Sequence, residues 1–462
     1  MIRRASFYHR KLLHLHDFLQ VRDLMSGLRG APHLPIPPDM PAAVTARRIL
    51  SGPLAQVLRR GEVRSLYQPI VDLDDGTPVA YEALARGPEG SPLESPLQLF
   101  AAAHASGRVA ELDRACRGAA IAGALTAGLQ APQALFINIE PATIAGVDDL
   151  LGFEEDRRGG LRVIVELTER ALTDRPAEVL AAVAALRERG CGIALDDVGV
   201  DKRSLALMPF VAPDVIKLDM SLIQQRGASP SAARVLNAVA AEVERSGAVL
   251  LAEGIENEEH LARARAVGAT LGQGWLFGRP GALPTGPSPA IAADRIPLLA
   301  LEPLPAGTPF ELIADMRRVR RGDKRLLLAL SRQLEAEASL LGGEAVVLSN
   351  FQNADFFTPR SRDAYEALAL SAALVGALGV GLGEEPAAGV RGAGLHEDDG
   401  LIGEWDVAVV GPHFAGAMVA CDLGDIGEDG DRRFDFFVTY ERELVVRAAR
   451  ALMARIVPTR ER

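Results

Sequence analysis

The chain has 462 residues, of which 24% are charged and 48% hydrophobic, and its formal net charge at pH 7 is −11. That length predicts two or three domains with sizeable cores, and the acidic balance disfavours a general nucleic-acid surface, which needs a basic footprint. Its three cysteines, Cys116, Cys191 and Cys421, are scattered and lack metal-ligand spacing, which speaks against a disulfide framework or a zinc site and for a reducing, cytoplasmic setting.

Residues 1–42 open with a basic stretch, "MIRRASFYHRKLLHLHDFLQ", and continue as the proline-rich "APHLPIPPDMP". The stretch has no continuous apolar core of the kind a signal peptide needs. From 43 to 285, short runs rich in Val, Ile and Leu alternate with long Ala/Leu/Arg/Glu stretches. The runs are "SLYQPIV", "VAYEALAR", "ALFINI", "RVIVEL", "GIALDD", "DVIKLD", "AVLLAE" and "TLGQGWLF"; amphipathic segments such as "RPAEVLAAVAALRERG" lie between them. Such alternation predicts parallel strands with crossover helices, and about eight strands in this length predict a modified (β/α)8 barrel of the TIM type. A second proline-rich linker covers 286–302. Residues 303–457 read as a separate α/β domain, with a helix over "GDKRLLLALSRQLEAEASLL", strands at "EAVVLSN" and "EWDVAVVG", and an amphipathic tail. The longest uncharged stretch, Ala367 to Gly383, reads as a buried helix running into a strand and not as a membrane span.

A barrel concentrates its chemistry where strands end. Here those ends are polar again and again: Glu82 and Arg86, Asn138, Glu166 and Glu169, Asp196 and Asp197, Lys217 and Asp219, Glu253 and Glu256, and Gln273. Taken singly, each has a bland role as a helix N-cap, a turn former or a solvated loop residue. Together they form a set of carboxylates and an amide without histidine, which suits Mg²⁺ or Mn²⁺. Converging anions repel unless cations neutralise them. The adjacent Asp196 and Asp197 can each reach a different ion, and two ions ~3.5–4 Å apart would clamp a phosphodiester for in-line attack by water. Lys217 has two open roles, orienting or deprotonating that water, or balancing the charge of its neighbours.

The ordered series "YQPIV", "YEALAR", "NIEP", "VELTE", "ALDD", "VIKLD", "AEGIE" and "GQGWLFGRP" resembles the EAL-domain cyclic di-GMP phosphodiesterases over about Ala43 to Pro280. The resemblance implies a modified (β/α)8 barrel that hydrolyses cyclic di-GMP to the linear dinucleotide with Mg²⁺ or Mn²⁺, and it implies a homodimer. It matches Glu82, Asn138, Glu166 and Asp196 to the first metal, Asp197 to the second, and Glu253 to a further carboxylate of the cluster. Lys217 matches the lysine beside the nucleophilic water. Arg86, Gln273 and Gln68 match positions around the substrate. Glu169 matches the anchor of the loop after the paired aspartates, with Glu256 and Asp219 as supporting acids. Residues 303–457 resemble the DICT sensory domain, through "FTPRSRDAYEALALSAALVGALGVG", "GEWDVAVVGPHFAGAMVACDLGD" and "FDFFVTY". Trp405, His413 and Phe414 are its candidates for a small-molecule pocket, against ordinary core packing.

One stretch departs from the family. Its usual Phe-Gly-x-Gly-Tyr-Ser-Ser loop reads "VGVDKRS" here, with Val198 for the aromatic, Asp201 for the second glycine and Lys202 for the tyrosine. Two expectations follow. Either the chain is an active phosphodiesterase under the control of its carboxy-terminal domain, or the altered loop leaves a weak or inactive cyclic di-GMP receptor. A third, a barrel acting on a different phosphodiester, is separable only by substrate.

Overall fold

A computed structural model of the chain describes residues 52–144, 160–201, 203–225, 227, 229–285, 295–299, 307–426 and 428–457. The segment expected over 1–42 and most of the linker expected over 286–302 lie outside the described residues, as do Lys202 and the side chain of Glu169.

Eight strands close into a barrel: β1 (Arg64–Asp72), β2 (Pro78–Arg86), β3 (Ala134–Asn138), β4 (Arg162–Leu167), β5 (Gly192–Val198), β6 (Val215–Leu218), β7 (Val249–Ala252) and β8 (Leu271–Gln273). They fall on the eight apolar runs. The all-parallel expectation needs one correction: β1 runs antiparallel to both of its neighbours, β2 and β8. The reason is local. Only "LDDGT" separates β1 from β2, too short for a crossover and long enough for a hairpin. Asp72 Oδ1 accepts from Asp74 N at 2.8 Å, Asp75 Oδ1 accepts from Thr77 N at 2.8 Å, and Gly76 takes φ +74° to complete the turn.

Outside the barrel run α1 (Pro53–Arg60), α2 (Pro96–Ala105), α3 (Val109–Thr126), α4 (Glu169–Asp174), α5 (Pro176–Glu188), α6 (Arg203–Val211), α7 (Met220–Gln224), α8 (Pro230–Ser246) and α9 (Glu258–Ala266). Inside, Ile70, Val79, Ala80, Ala134, Phe136, Ile164, Ala194, Val215, Leu251 and Leu271 form one apolar cluster. Ile296, from beyond β8, completes it. The chain around Ile296 is clasped to the barrel floor: Arg295 pairs with Asp72, and Arg187 donates to Leu299 O at 2.8 Å. This part of the proline-rich linker is thus a plug and not a free tether.

The second domain is a seven-stranded mixed sheet ordered β12-β11-β10-β13-β14-β15-β9. Its strands are β9 (Arg320–Asp323), β10 (Val346–Asn353), β11 (Leu374–Val380), β12 (Arg391–Gly394), β13 (Glu404–Val410), β14 (Ala415–Asp422) and β15 (Arg433–Thr439). Alternation gives it two apolar faces. Val347, Val407 and Met418 pack under α11 (Lys324–Leu341) and α12 (Pro359–Ala369). Leu348, Ala408, Ala417 and Phe437 face α10 (Pro309–Ile313) and α13 (Arg442–Met453), and this face is continuous with the apolar surface of the barrel's outer helices. The helix–strand reading of Ala367 to Gly383 matches α12 and β11. Trp405 and Phe414 do not share a pocket. They lie at opposite ends of β13, where Trp405 meets Phe434 edge-on and Phe414 meets Tyr440, while His413 is exposed.

Glu404 ties this sheet to the start of α10. Its carboxylate accepts from the Thr308 hydroxyl and, at 3.0 Å, from Phe310 N. Burial pushes its pKa up to about 7, against those two hydrogen bonds. Between the ordinary carboxylate range and about 7 the folded state therefore holds a proton that the unfolded state has released, so stability falls as pH rises through that window. Glu404→Gln, which keeps an acceptor for Phe310 N, is expected to gain stability relative to the parent between about pH 5 and pH 8. Urea denaturation at both pH values checks this; a difference that does not change with pH would refute it.

Candidate metal centre at the C-terminal end of the barrel

The apolar cluster inside the barrel fixes where the polar side chains go. In a strand, residues two apart share a face. Two residues beyond Ala80, Phe136, Ile164, Ala194, Val215, Leu251 and Leu271 stand Glu82, Asn138, Glu166, Asp196, Lys217, Glu253 and Gln273. β1 runs the other way, so Gln68 lies two residues before Ile70 and pairs in register with Glu82. One layer of apolar side chains therefore carries a second layer of polar ones over it.

Lys217 is the centre of that layer. It is 1% exposed, and its Nζ lies 2.6 Å from Glu166 Oε1, 2.8 Å from Asp196 Oδ1, 2.9 Å from Glu253 Oε1 and 3.9 Å from Glu82 Oε2. Glu82 is held from both sides, accepting from Asn138 Nδ2 at 3.3 Å and from Gln273 Nε2 at 2.6 Å. Gln273 Nε2 also reaches Gln68 Oε1 at 3.2 Å, and Gln68 Nε2 donates to Gly278 O at 3.2 Å. Arg86, half-buried at the end of β2, donates to Ala85 O. Asp219 and Glu256 stand apart from this layer. Asp219 caps α7, accepting from Ser221 N at 2.9 Å, and Glu256 is exposed.

The charges explain one another. Burial works against the Lys217 ammonium, but Asp196, Glu166, Glu253 and Glu82 outweigh it and hold its pKa well above the usual lysine range. Burial, and then the charge of Glu82, push Glu166 well above the carboxylate range against the pull of Lys217. Burial raises Glu253 likewise; Lys217 opposes, and Asp196, Glu82 and Asp197 add to the rise. One buried cation thus faces more negative charge than it can balance.

Asp196, Asp197 and Glu253 each offer a carboxylate oxygen within 4.8 Å of the others, the one such acidic group among the described residues. Asp197 takes φ +56°, a left-handed conformation that Asp tolerates better than most residues. That backbone turns it out of the strand's alternation, so two neighbouring aspartates serve one site. Glu166 Oε2 is buried with no hydrogen-bond donor. An all-oxygen donor set, surplus negative charge and an orphaned buried oxygen fit a hard divalent cation.

The described residues of the divergent loop are tied down locally. Val198 is fully buried, and its carbonyl accepts from Asp219 N at 3.1 Å. Gly199 takes φ +114°, and a Cβ there would lie 2.5 Å from Leu222 Cδ1, so this glycine is required. Asp201 is engaged within the loop. It accepts from Arg203 N at 3.0 Å and from the Arg203 guanidinium at 2.9 and 2.6 Å, and its carbonyl accepts from Ser204 Oγ at 2.7 Å. The added anion is spent on starting α6.

Residues 52–280 match the family model described as EAL domain, and residues 314–423 match the one described as sensory domain in DIguanylate Cyclases and Two-component system. The first match spans just under half of the chain, which is thus similar to an EAL domain followed by a DICT domain. Among its relatives is the cyclic di-GMP phosphodiesterase RocR of Pseudomonas aeruginosa, 31% identical over 52% of this chain and 64% of RocR. The probable cyclic di-GMP phosphodiesterase PdeG of Escherichia coli K12 is 29% identical over 49% of this chain and 46% of PdeG. The chain thus spans less than two thirds of the length of either. Among solved structures, a manganese/cy-diGMP complex of Klebsiella pneumoniae BlrP1 at pH 9.0 is 30% identical over 48% of this chain and 56% of that one, with a TM-score of 0.43. No helix among the described residues is long and apolar enough to cross a membrane.

Proposed function

We propose that the EAL domain hydrolyses cyclic di-GMP to the linear dinucleotide pGpG. The observation that carries this reading is Lys217, buried at the strand ends and shared by Glu166, Asp196 and Glu253, with Asp197 beside them. Asp196, Asp197 and Glu253, with Glu82, Asn138 and Glu166, would hold Mg²⁺ or Mn²⁺, two ions being the fuller arrangement. When bound, the cations supply neutralisation of phosphate charge and a lowered pKa for water. The named activities of RocR and PdeG support the same substrate.

The chain's own residues then have distinct tasks. Lys217, held charged by its acids where no cation is bound, donates hydrogen bonds to Glu166, Asp196 and Glu253, keeps them converged and orients the water. Gln273 has both amide donor contacts engaged, while its Oε1 is buried without a partner and is an acceptor for a substrate N–H. Arg86 and Gln68 line the same rim. Addition of the water oxygen to phosphorus breaks one bridging P–O bond; the proton that the water gives up ends on the leaving ester oxygen as a hydroxyl, which opens the ring to the linear product.

The receptor reading rests on the altered loop alone, and that loop keeps Asp197 in place and its own Asp201 paired. The test is incubation of the purified full chain with cyclic di-GMP and Mn²⁺ or Mg²⁺, with products separated by chromatography. The expected product is pGpG, and Glu82→Ala is expected to lower its rate at least about 10²-fold, as the loss of an oriented cluster acid should. Folded protein that makes no linear product with either metal would overturn the proposal; turnover of another phosphodiester only would move it to that substrate.

A further inference from the structure

The DICT domain does not merely follow the barrel. Arg391, the first residue of edge strand β12, reaches across to α4. Its Nη1 donates to Thr173 O at 2.6 Å, and its Nη2 donates to Asp174 O at 3.1 Å and to Val457 O of its own domain at 2.6 Å. Burial works against the charge of this guanidinium, and Asp174 and Glu385 offset part of that cost.

What Arg391 grips is the connection to the acid site. α4 begins three residues beyond Glu166, and Ala171 and Leu172 on it are buried. The helix also packs against β5, which carries Asp196 and Asp197, and against α6, which follows the divergent loop. A helix of six residues has every carbonyl in or near its last turn, so its C-terminal end depends on outside donors. The planar guanidinium supplies two parallel donors and a cation there, which one ammonium cannot reproduce. A second tie, Arg234 Nη1 to Glu344 Oε1 at 3.5 Å, joins α8 to the 3-10 turn Gly342–Glu344, but Arg234 is exposed and leads to no site acid.

We propose that Arg391 is a positioning residue through which the DICT domain sets the geometry of Glu166 and the paired aspartates, so that movement of the sensory domain alters cation binding in the EAL domain. This rests on the phosphodiesterase reading for its biological sense, but the coupling itself is a property of the acid cluster. The interdomain contact made to backbone carbonyls turns a signal at the second domain into a shift of the strand-4 acid.

The test uses the full chain and Mn²⁺ alone, titrated by electron paramagnetic resonance, with hydrolysis measured in parallel. Arg391→Ala and Arg391→Lys are both expected to weaken Mn²⁺ binding about three- to thirtyfold, the usual range for a residue on a coupling route. The KM for the dinucleotide should stay within about twofold, since Arg391 touches no substrate. Arg234→Ala is expected to leave Mn²⁺ binding unchanged. Unchanged Mn²⁺ binding in folded Arg391→Ala would overturn the proposal, and so would an equal loss in Arg234→Ala, because docking in general and not Arg391 would then be responsible. Failure of wild-type hydrolysis with the Mn²⁺ shift intact would overturn the phosphodiesterase reading and leave this one standing.

Discussion

Lys217→Met is expected to destabilise the metal-free protein by about 3–5 kcal/mol, the cost of leaving buried charges without their partner. Methionine fills much of the same volume, so packing is not the cause. Among the described residues, Lys217 is the cation paired with Glu166, Asp196 and Glu253. Two further results separate this from a simple packing defect. Saturating Mn²⁺ is expected to restore most of the lost stability, because a bound cation supplies the missing positive charge. Acid is expected to shrink the loss as well, since Glu166 and Glu253, already held above the carboxylate range, then take up protons. Hydrolysis is expected to fall about 10²–10⁴-fold even with metal bound, for want of the donor that orients water. Urea denaturation with chelator and with Mn²⁺ reads the stability, and product formation reads the rate. A variant as stable as the parent in chelator would show that the buried acids do not need their lysine.

Asp197→Asn is expected to make the metal-free protein more stable and the enzyme far less active. The negative charge of Asp197 raises Glu253, so removing it relieves a repulsion. Asparagine accepts the left-handed φ of +56° nearly as well as aspartate, so no backbone strain is added. Asp197→Ala carries the same loss of charge with about 1 kcal/mol or more of conformational strain, and should melt below Asp197→Asn. Both lose a carboxylate from the trio with Asp196 and Glu253. The rate is expected to drop at least about 10²-fold, since a cation's contribution to a phosphodiester transition state is worth several kcal/mol. Full activity in Asp197→Asn would mean that this residue holds no cation needed for hydrolysis.

The sequence by itself determined the barrel, the order of its strands and which polar residues stand at their ends. The reason is that strand periodicity is local: a polar residue two places beyond an interior apolar one must lie over it, and "ALDD" or "VIKLD" records that in consecutive letters. The hairpin that reverses β1 escaped the expectation of parallel strands, although "LDDGT" is too short for a parallel crossover. The antiparallel half of the second sheet was read only as motif pieces, because alternation in "AGAMVACD" names a strand without naming its neighbour.

Tertiary structure alone decided the rest. Lys217 has a motif in the sequence, but its state comes from acids on four other strands, and no local pattern tells whether it is a base or a buried counter-ion. Asp201 is one more acid close in sequence to the paired aspartates, and only the fold gives it to Arg203 and the start of α6. Arg391 left no trace at all. Its partners at Thr173 and Asp174 are backbone carbonyls, which every residue possesses, so this one tie depends on where the chain passes and not on which side chains those two residues carry.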